Sequence, residues 1–355
     1  MDHAVPAAGR QPSPERIFQM LNAYQQTAAL KAAIELDLFT AIGEGNVSPQ
    51  ALAKRCSAAE RGVRILCDYL VVHGMLDKNG KAYGLTSDAA AFLDRRAPAY
   101  QGTLTKFLNS PDLMDGFKDL AAAVRKGGTV LKREAVAPQN PIWVEFARSM
   151  APMMALPAEL VAKSLGAEAG HDWKVLDIAA GHGLFGITIA KHNPRARIVA
   201  LDWAKVLEVA TENARKAGVA DRHSTIIGSA FEADFGNGYD LVLLTNFLHH
   251  FDEATNIGLL MKVHAALKPG GRVATLEFVP NEDRVSPPVP ATFSLIMLGE
   301  TEHGDAYTFS ELDRMFSKAG FVKSEIHQLP PTPEQLILSH KQDGRGRLST
   351  AGDVG

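Results

Sequence analysis

Between Glu15 and Ile42 apolar residues recur at helical spacing. Ile17, Leu21, Tyr24, Ala28 and Ala32 form one stripe, and Ile34, Leu36, Leu38, Phe39 and Ile42 continue the apolar series until Gly43 and Gly45 end the unit. Ser48-Pro49 is a helix start, with the serine as cap and the proline at the first helical position, and predicts a short helix over 49–55. Ser57 then opens a second helix carrying Val63, Ile65, Leu66, Leu70, Val71 and Leu76. Asp77-Lys78-Asn79-Gly80 is a hairpin signal, and Ala82-Tyr83-Gly84-Leu85-Thr86 returns as a strand. From Lys174 onward the pattern changes to short apolar strands alternating with helices, the signature of a parallel α/β sheet. The predicted strands are 174–178, 196–201, 224–227, 239–245 and 272–278, followed by 322–328 and 335–339 around a proline-rich turn. The helix starting near Asp252 is expected to stop at Lys268-Pro269-Gly270-Gly271.

This pattern predicts an α/β protein with a mainly helical N-terminal domain over 15–165 and a Rossmann-like domain over 166–341. Residues 1–14 and 342–355 lack apolar periodicity and are expected to be disordered. The apolar run 289–299 is too short for a membrane span and predicts a buried helix. Nothing in Met1 to Pro14 resembles a signal peptide.

Composition narrows the class further. The 355 residues are 46% hydrophobic and 22% charged, enough to bury a core and too apolar for a disordered chain. With 37 basic and 40 acidic residues the net charge is -3, so no global basic field attracts nucleic acid. Cys56 and Cys67 are too few for a disulfide framework and predict a reduced, cytoplasmic protein. The order helix, helix, hairpin is the winged-helix pattern, which often binds DNA. Arg61 and Arg64 of the second helix are accompanied by Glu60, Asp68 and a long apolar face, which suits packing, dimerisation or a substrate lid better than phosphates.

The chemistry centres on Val175-Leu176-Asp177-Ile178-Ala179-Ala180-Gly181-His182-Gly183-Leu184-Phe185-Gly186. Gly181, Gly183 and Gly186 spell a dinucleotide fingerprint, and Asp202 ends the next strand, where it can accept hydrogen bonds from ribose hydroxyls. Asp177 decides between cofactors. A carboxylate beside this turn repels a pyrophosphate, whereas the sulfonium and ammonium of S-adenosylmethionine suit it. A nicotinamide-dependent dehydrogenase is therefore the weaker reading. The adjacent imidazoles of His249 and His250 diverge on either a helix or a strand, and no metal-ligand spacing stands out. No metal is expected.

Phe146-Ala147-Arg148-Ser149-Met150-Ala151, the Asp177 loop, Leu201-Asp202-Trp203, Gly228-Ser229-Ala230-Phe231, Leu248-His249-His250-Phe251 and Lys268-Pro269-Gly270-Gly271 occur in that order. Together they resemble the S-adenosylmethionine-dependent O-methyltransferases of the plant caffeate and acetylserotonin type, with their bacterial relatives, over roughly residues 15–340. The resemblance implies a class I methyltransferase sheet, an N-terminal winged-helix dimerisation domain, a homodimer and a small, aromatic hydroxyl acceptor. It implies His249 as general base and Glu277 as its supporting acid. Asp177, Ala179, Gly181, Asp202, Trp203, Ser229, Ala230, Phe231 and Thr245 then border the cofactor, and Met150, Met154, Met297 and Thr301 the acceptor.

Several positions depart from the family. Ala179 and Ala180 replace glycines, Thr245 a lysine, and His250 the aspartate after the base. Ala306 stands where relatives carry a second supporting glutamate, leaving Glu300, Glu302 or Asp305 as substitutes. The alternatives are C-methylation on the same fold or a non-catalytic winged-helix regulator.

Overall fold

The computed structural model describes residues 12–132 and 142–343, and the chain divides into two units, residues 1–105 and 106–355. The ends expected to be disordered, 1–14 and 342–355, fall mostly outside the described residues.

In the first unit, Ser48 caps the helix Pro49–Arg55, its Oγ accepting from the Ala51 N–H at 3.2 Å, with Pro49 at the first turn. The next helix, Glu60–Val72, starts later than Ser57. That serine sits in the left-handed region at φ 51°, where it turns the chain rather than opening the helix. Val63, Cys67 and Leu70 form the helix's buried stripe. Strands β1 (Leu76–Asn79) and β2 (Ala82–Leu85) pair antiparallel, with Gly80 at φ +60° in the turn. Asp68 ties this hairpin to the helix, accepting from the Tyr83 hydroxyl at 2.7 Å and pairing with Arg64 and Lys78. Arg64 is thus engaged within the unit. By contrast the helix Glu15–Leu21 buries nothing, and Ile17, Phe18, Met20, Leu21 and Tyr24 are all exposed.

The second unit is built on a seven-stranded sheet. Its strands are β3 (Lys174–Ile178), β4 (Arg197–Asp202), β5 (His223–Ile227), β6 (Tyr239–Thr245), β7 (Leu267–Glu277), β8 (Lys323–Gln328) and β9 (Gln335–His340). They lie in the order β5-β4-β3-β6-β7-β9-β8. The first five are parallel, and β9 is inserted antiparallel between β7 and β8. This is the Rossmann-like arrangement that the strand pattern predicts. Val175, Leu176 and Ile178 of the central strand are fully buried, as a parallel strand covered on both faces requires.

Two sequence expectations are corrected here. Lys268-Pro269-Gly270-Gly271 does not stop the preceding helix, which ends at Ala266. The segment already runs in β7, with an irregularity opposite Tyr239 and Leu241 that accommodates the proline and glycines. The division between units lies after Thr105 rather than near residue 165. The helix Ala151–Ser164 belongs with the sheet because Met154, Ala158, Val161 and Ala162 share a core with Phe185, Ile187 and Ile189. The apolar run 289–299 is a helix, Pro288–Glu300, that buries Met297 but exposes Val289 and Leu295.

Candidate active site

Ligands of an open α/β sheet bind beyond the carboxyl ends of the strands where the order reverses, here around β3, β4 and β6. Beyond β3 the backbone turns through Ala179 at φ +53°, Gly181 at +56° and Gly183 at +72° before the helix Leu184–His192. Asp202, at the end of β4, closes this loop. Its Oδ2 accepts from the Gly181 N–H at 2.8 Å and its Oδ1 from the Trp203 N–H at 2.7 Å. Burial pushes the Asp202 carboxyl up to about 6. Asp177 lies beneath the loop, only 1% exposed, with Oδ2 accepting from the Gly186 N–H at 3.1 Å. A side chain at Gly186 would collide with Ile198 and press on that oxygen. Asp177 therefore braces the loop from below, and burial raises it to about 7. His182 is a helix-start residue: its Nδ1 accepts from the Leu184 N–H at 3.1 Å, and burial lowers it to about 4.

Above the loop is a cavity bordered by Ala179, Gly181, Asp202, Trp203 and Thr245. Trp143, Phe146, Val206, Asn246, Phe247 and His250 complete its wall. Trp143 and Phe146 arrive there because the helix Ile142–Ser149 packs on the helix Ala204–Lys216 through Ala147, Val206 and Val209. Ser229, Ala230 and Phe231 stand just outside this wall. Ser229 Oγ accepts from the Phe231 N–H, Ala230 is buried, and the Phe231 ring packs edge-on to Phe251 and beside Phe247. The carbonyls of Ala230 and Phe231 are held by the Lys262 ammonium at 3.2 and 3.1 Å.

A second, larger cavity of about 330 Å³ adjoins the first, sharing Trp143, Phe146, Asn246 and His250. Met150, Met154, Met297 and Thr301 all border it, together with Met153, Phe107, Phe278, Phe293 and Ile296. The size suits a small organic molecule, and the aromatic and thioether lining suits a flat apolar one.

His249 borders this second cavity and is 5% exposed. Its Nδ1 lies 2.5 Å from Glu277 Oε2, while Glu277 Oε1 accepts from the N–H groups of Phe247 at 3.0 Å and Leu248 at 2.8 Å. An anionic Glu277 accepts only, so Nδ1 carries the proton and Nε2 keeps the lone pair. The expected divergence of His249 and His250 is overturned. Both sit in a single 3-10 turn, Leu248–His250, with ring centroids 4.2 Å apart. His250 Nδ1 lies 3.2 Å from the Phe247 carbonyl, and burial, aided by the neighbouring His249, lowers it to about 3.

Ala306 is fully buried and offers no carboxylate. Of the three substitutes, Asp305 pairs with Arg284 and Glu302 with Lys126, while Glu300 borders the second cavity. A further carboxylate, carrying no motif in the sequence, stands beside the pair: Glu334. It is 1% exposed, and its Oε1 accepts from Asn246 Nδ2 at 3.2 Å. Burial pushes it up to about 7, with the Asn246 hydrogen bond and His249 opposing the rise and Glu277 adding to it. Among the described residues no group of three or more His, Cys, Asp or Glu could hold a metal ion. No described helix is long and apolar enough to cross a membrane.

Two family models match the chain: an O-methyltransferase domain over residues 117–322 and an O-methyltransferase dimerisation domain over residues 18–95. A crystal structure from Nostoc punctiforme, provisionally named an O-methyltransferase, is 54% identical. It covers 94% of this chain and 100% of that one, with a TM-score of 0.90. The tetracenomycin polyketide synthesis 8-O-methyl transferase TcmO of Streptomyces glaucescens is 28% identical over 333 residues, 92% of this chain and 97% of its own. Human N-acetylserotonin methyltransferase, solved in complex with S-adenosylmethionine, is 22% identical, with 95% and 100% of the two chains covered. Its TM-score of 0.81 shows the shared fold.

Proposed function

The chain belongs to the O-methyltransferase family, carrying both its methyltransferase and its dimerisation domain, and from that premise we propose that it methylates a hydroxyl of a small aromatic molecule with His249 as general base. The observation that carries this reading is the His249–Glu277 pair at the edge of an apolar cavity.

The methyl donor is S-adenosylmethionine, which when bound supplies an electrophilic sulfonium methyl. The residues of the first cavity fit it. Each Asp202 oxygen accepts one backbone N–H and retains a lone pair for a ribose hydroxyl, and Trp203 offers an aromatic face beside it. Asp177 keeps the loop's shape from beneath.

In the second cavity the acceptor's hydroxyl proton passes to His249 Nε2 as the oxygen attacks. A free imidazole lies about 3.5 pKa units below a phenol, so full deprotonation costs about 5 kcal/mol before attack. Glu277 offsets part of this by stabilising the imidazolium, and its backbone N–H bonds hold it in place to do so. Trp143, Phe146 and His250, shared by both cavities, exclude water from between the reactants.

The exposed apolar face of Ile17, Phe18, Met20, Leu21 and Tyr24 pairs with a second copy of the chain, making a homodimer through the N-terminal domain. The unpaired thiols of Cys56 and Cys67 support a cytoplasmic location. The deciding experiment incubates the protein with isotopically labelled S-adenosylmethionine and a library of hydroxylated aromatics, with products read by mass spectrometry. Label on oxygen is the expected result. Label only on ring carbon, or on no acceptor, overturns the reading.

A further inference from the structure

Two oxygens beside the His249–Glu277 pair are buried with no hydrogen-bond partner among the described residues: Asn246 Oδ1 and Glu334 Oε2. They belong to side chains already joined, since Asn246 Nδ2 donates to Glu334 Oε1 at 3.2 Å. An amide and a carboxylic acid linked through one N–H close a ring when the acid keeps its proton, because its O–H then donates to the amide oxygen. A single proton satisfies both orphaned oxygens. An ionised Glu334 has no proton to donate and leaves both unpaired, at a cost of roughly 1–3 kcal/mol for each buried group.

We propose that Glu334 holds a proton on Oε2 and donates it to Asn246 Oδ1, closing a two-bond ring that fixes Asn246 in the wall between the two cavities. This rests on the proposed reading of those cavities as the cofactor and acceptor sites. The ring fixes the side chain where the backbone turns. Asn246 adopts a left-handed φ of +53°, a region asparagine tolerates better than other non-glycine residues, and its side chain also touches Met154 Sδ. Immediately after it come the Phe247 and Leu248 N–H groups that seat Glu277, and then His249 itself. Glu334 is therefore a positioning residue, acting on the base through Asn246 and the turn that follows.

The charged surroundings agree. Glu277 disfavours a second negative charge, and His249 is the titratable group that favours one. A neutral Glu334 leaves Glu277, the carboxylate bonded to His249 Nδ1, to stabilise the imidazolium.

The test compares Glu334→Gln with Glu334→Leu. Glutamine replaces the O–H by an N–H and keeps the ring, so turnover stays near wild type. Leucine abolishes it and lowers kcat on the order of 10- to 100-fold, as a misplaced base does, with S-adenosylhomocysteine affinity less affected. Infrared difference spectra of wild type against Glu334→Gln should carry a protonated-carboxyl band that disappears as pH rises through about 7. Subtracting the glutamine variant cancels the other buried carboxyls. A missing band, a glutamine variant as defective as leucine, or a fully active leucine variant overturns the proposal. If the leucine variant fails to fold, the glutamine variant and its spectrum still decide. If no hydroxyl is methylated, the proposed function fails while the band remains a separate test of the ring.

Discussion

Glu277 faces His249 with one oxygen and the N–H groups of the two residues before it, Phe247 and Leu248, with the other, so the acid that supports the base also anchors the segment that carries it. Loss of either side chain therefore acts by a different route.

His249→Ala should lower kcat by roughly 10²–10⁴, the usual worth of general base catalysis, while leaving S-adenosylhomocysteine binding unchanged by calorimetry. Near-normal turnover would mean that the acceptor is already nucleophilic.

Glu277→Gln should be about as severe as His249→Ala. The amide oxygen keeps the two backbone N–H bonds, which turns its NH2 toward His249 Nδ1 and forces the ring proton onto Nε2. The base is then present in the wrong tautomer. Steady-state kinetics with unchanged cofactor affinity checks this, and a loss under tenfold contradicts it.

Asp202→Ala should weaken S-adenosylhomocysteine binding by about 1–3 kcal/mol, the penalty for unpaired buried donors. The Gly181 and Trp203 N–H groups lose their acceptor as well. Titration calorimetry measures the change.

Asp177 should make the ligand-free wild type lose stability relative to Asp177→Asn as pH rises from 5 to 8. Its carboxyl is raised to about 7 from an unfolded value near 4, so in this window the folded state holds a proton there that the unfolded state has lost. His182 and His250, lowered to about 4 and about 3, act in the opposite direction up to the ordinary imidazole value near 6.5, which is why the comparison is with the variant and not with the bare slope. Melting temperatures of both proteins across that range test the sign: the difference between them should shrink toward pH 8, and a constant difference contradicts it.

Phe18→Glu with Leu21→Glu should convert the dimer to a monomer in sedimentation velocity. Each side chain is worth about 1.5–3 kcal/mol when fully buried, and neither is buried within its own unit. A dimer that survives both charges contradicts this interface.

Local patterns made β3 and β6 legible to the residue, because a central parallel strand is a short, mostly apolar run between turn signals. Asp202, Trp203 and the methionines were legible because strand ends and family motifs mark them. Glu334 carried no such mark. It follows a proline-rich turn, and only the pairing of Gln335 with Glu277 across β9 and β7 brings it to the base. The approach of His250 to His249 was hidden for a different reason. It depends on a 3-10 turn preceded by a left-handed Asn246, a backbone choice outside both helix and strand periodicities.

The position of β9 inside the sheet also bears on how the molecule reaches its working form. Until residues 335–340 insert, β7 and β8 each present an unpaired edge, open to strands of other molecules. The β7–β9 pairing spans some 60 residues of sequence, a loop-closure cost that the local β8–β9 hairpin does not carry. Glu334 immediately precedes the inserting strand, so the last polar group of the site arrives as those edges close. Seating this residue and closing the gap between β7 and β8 are thus a single structural step.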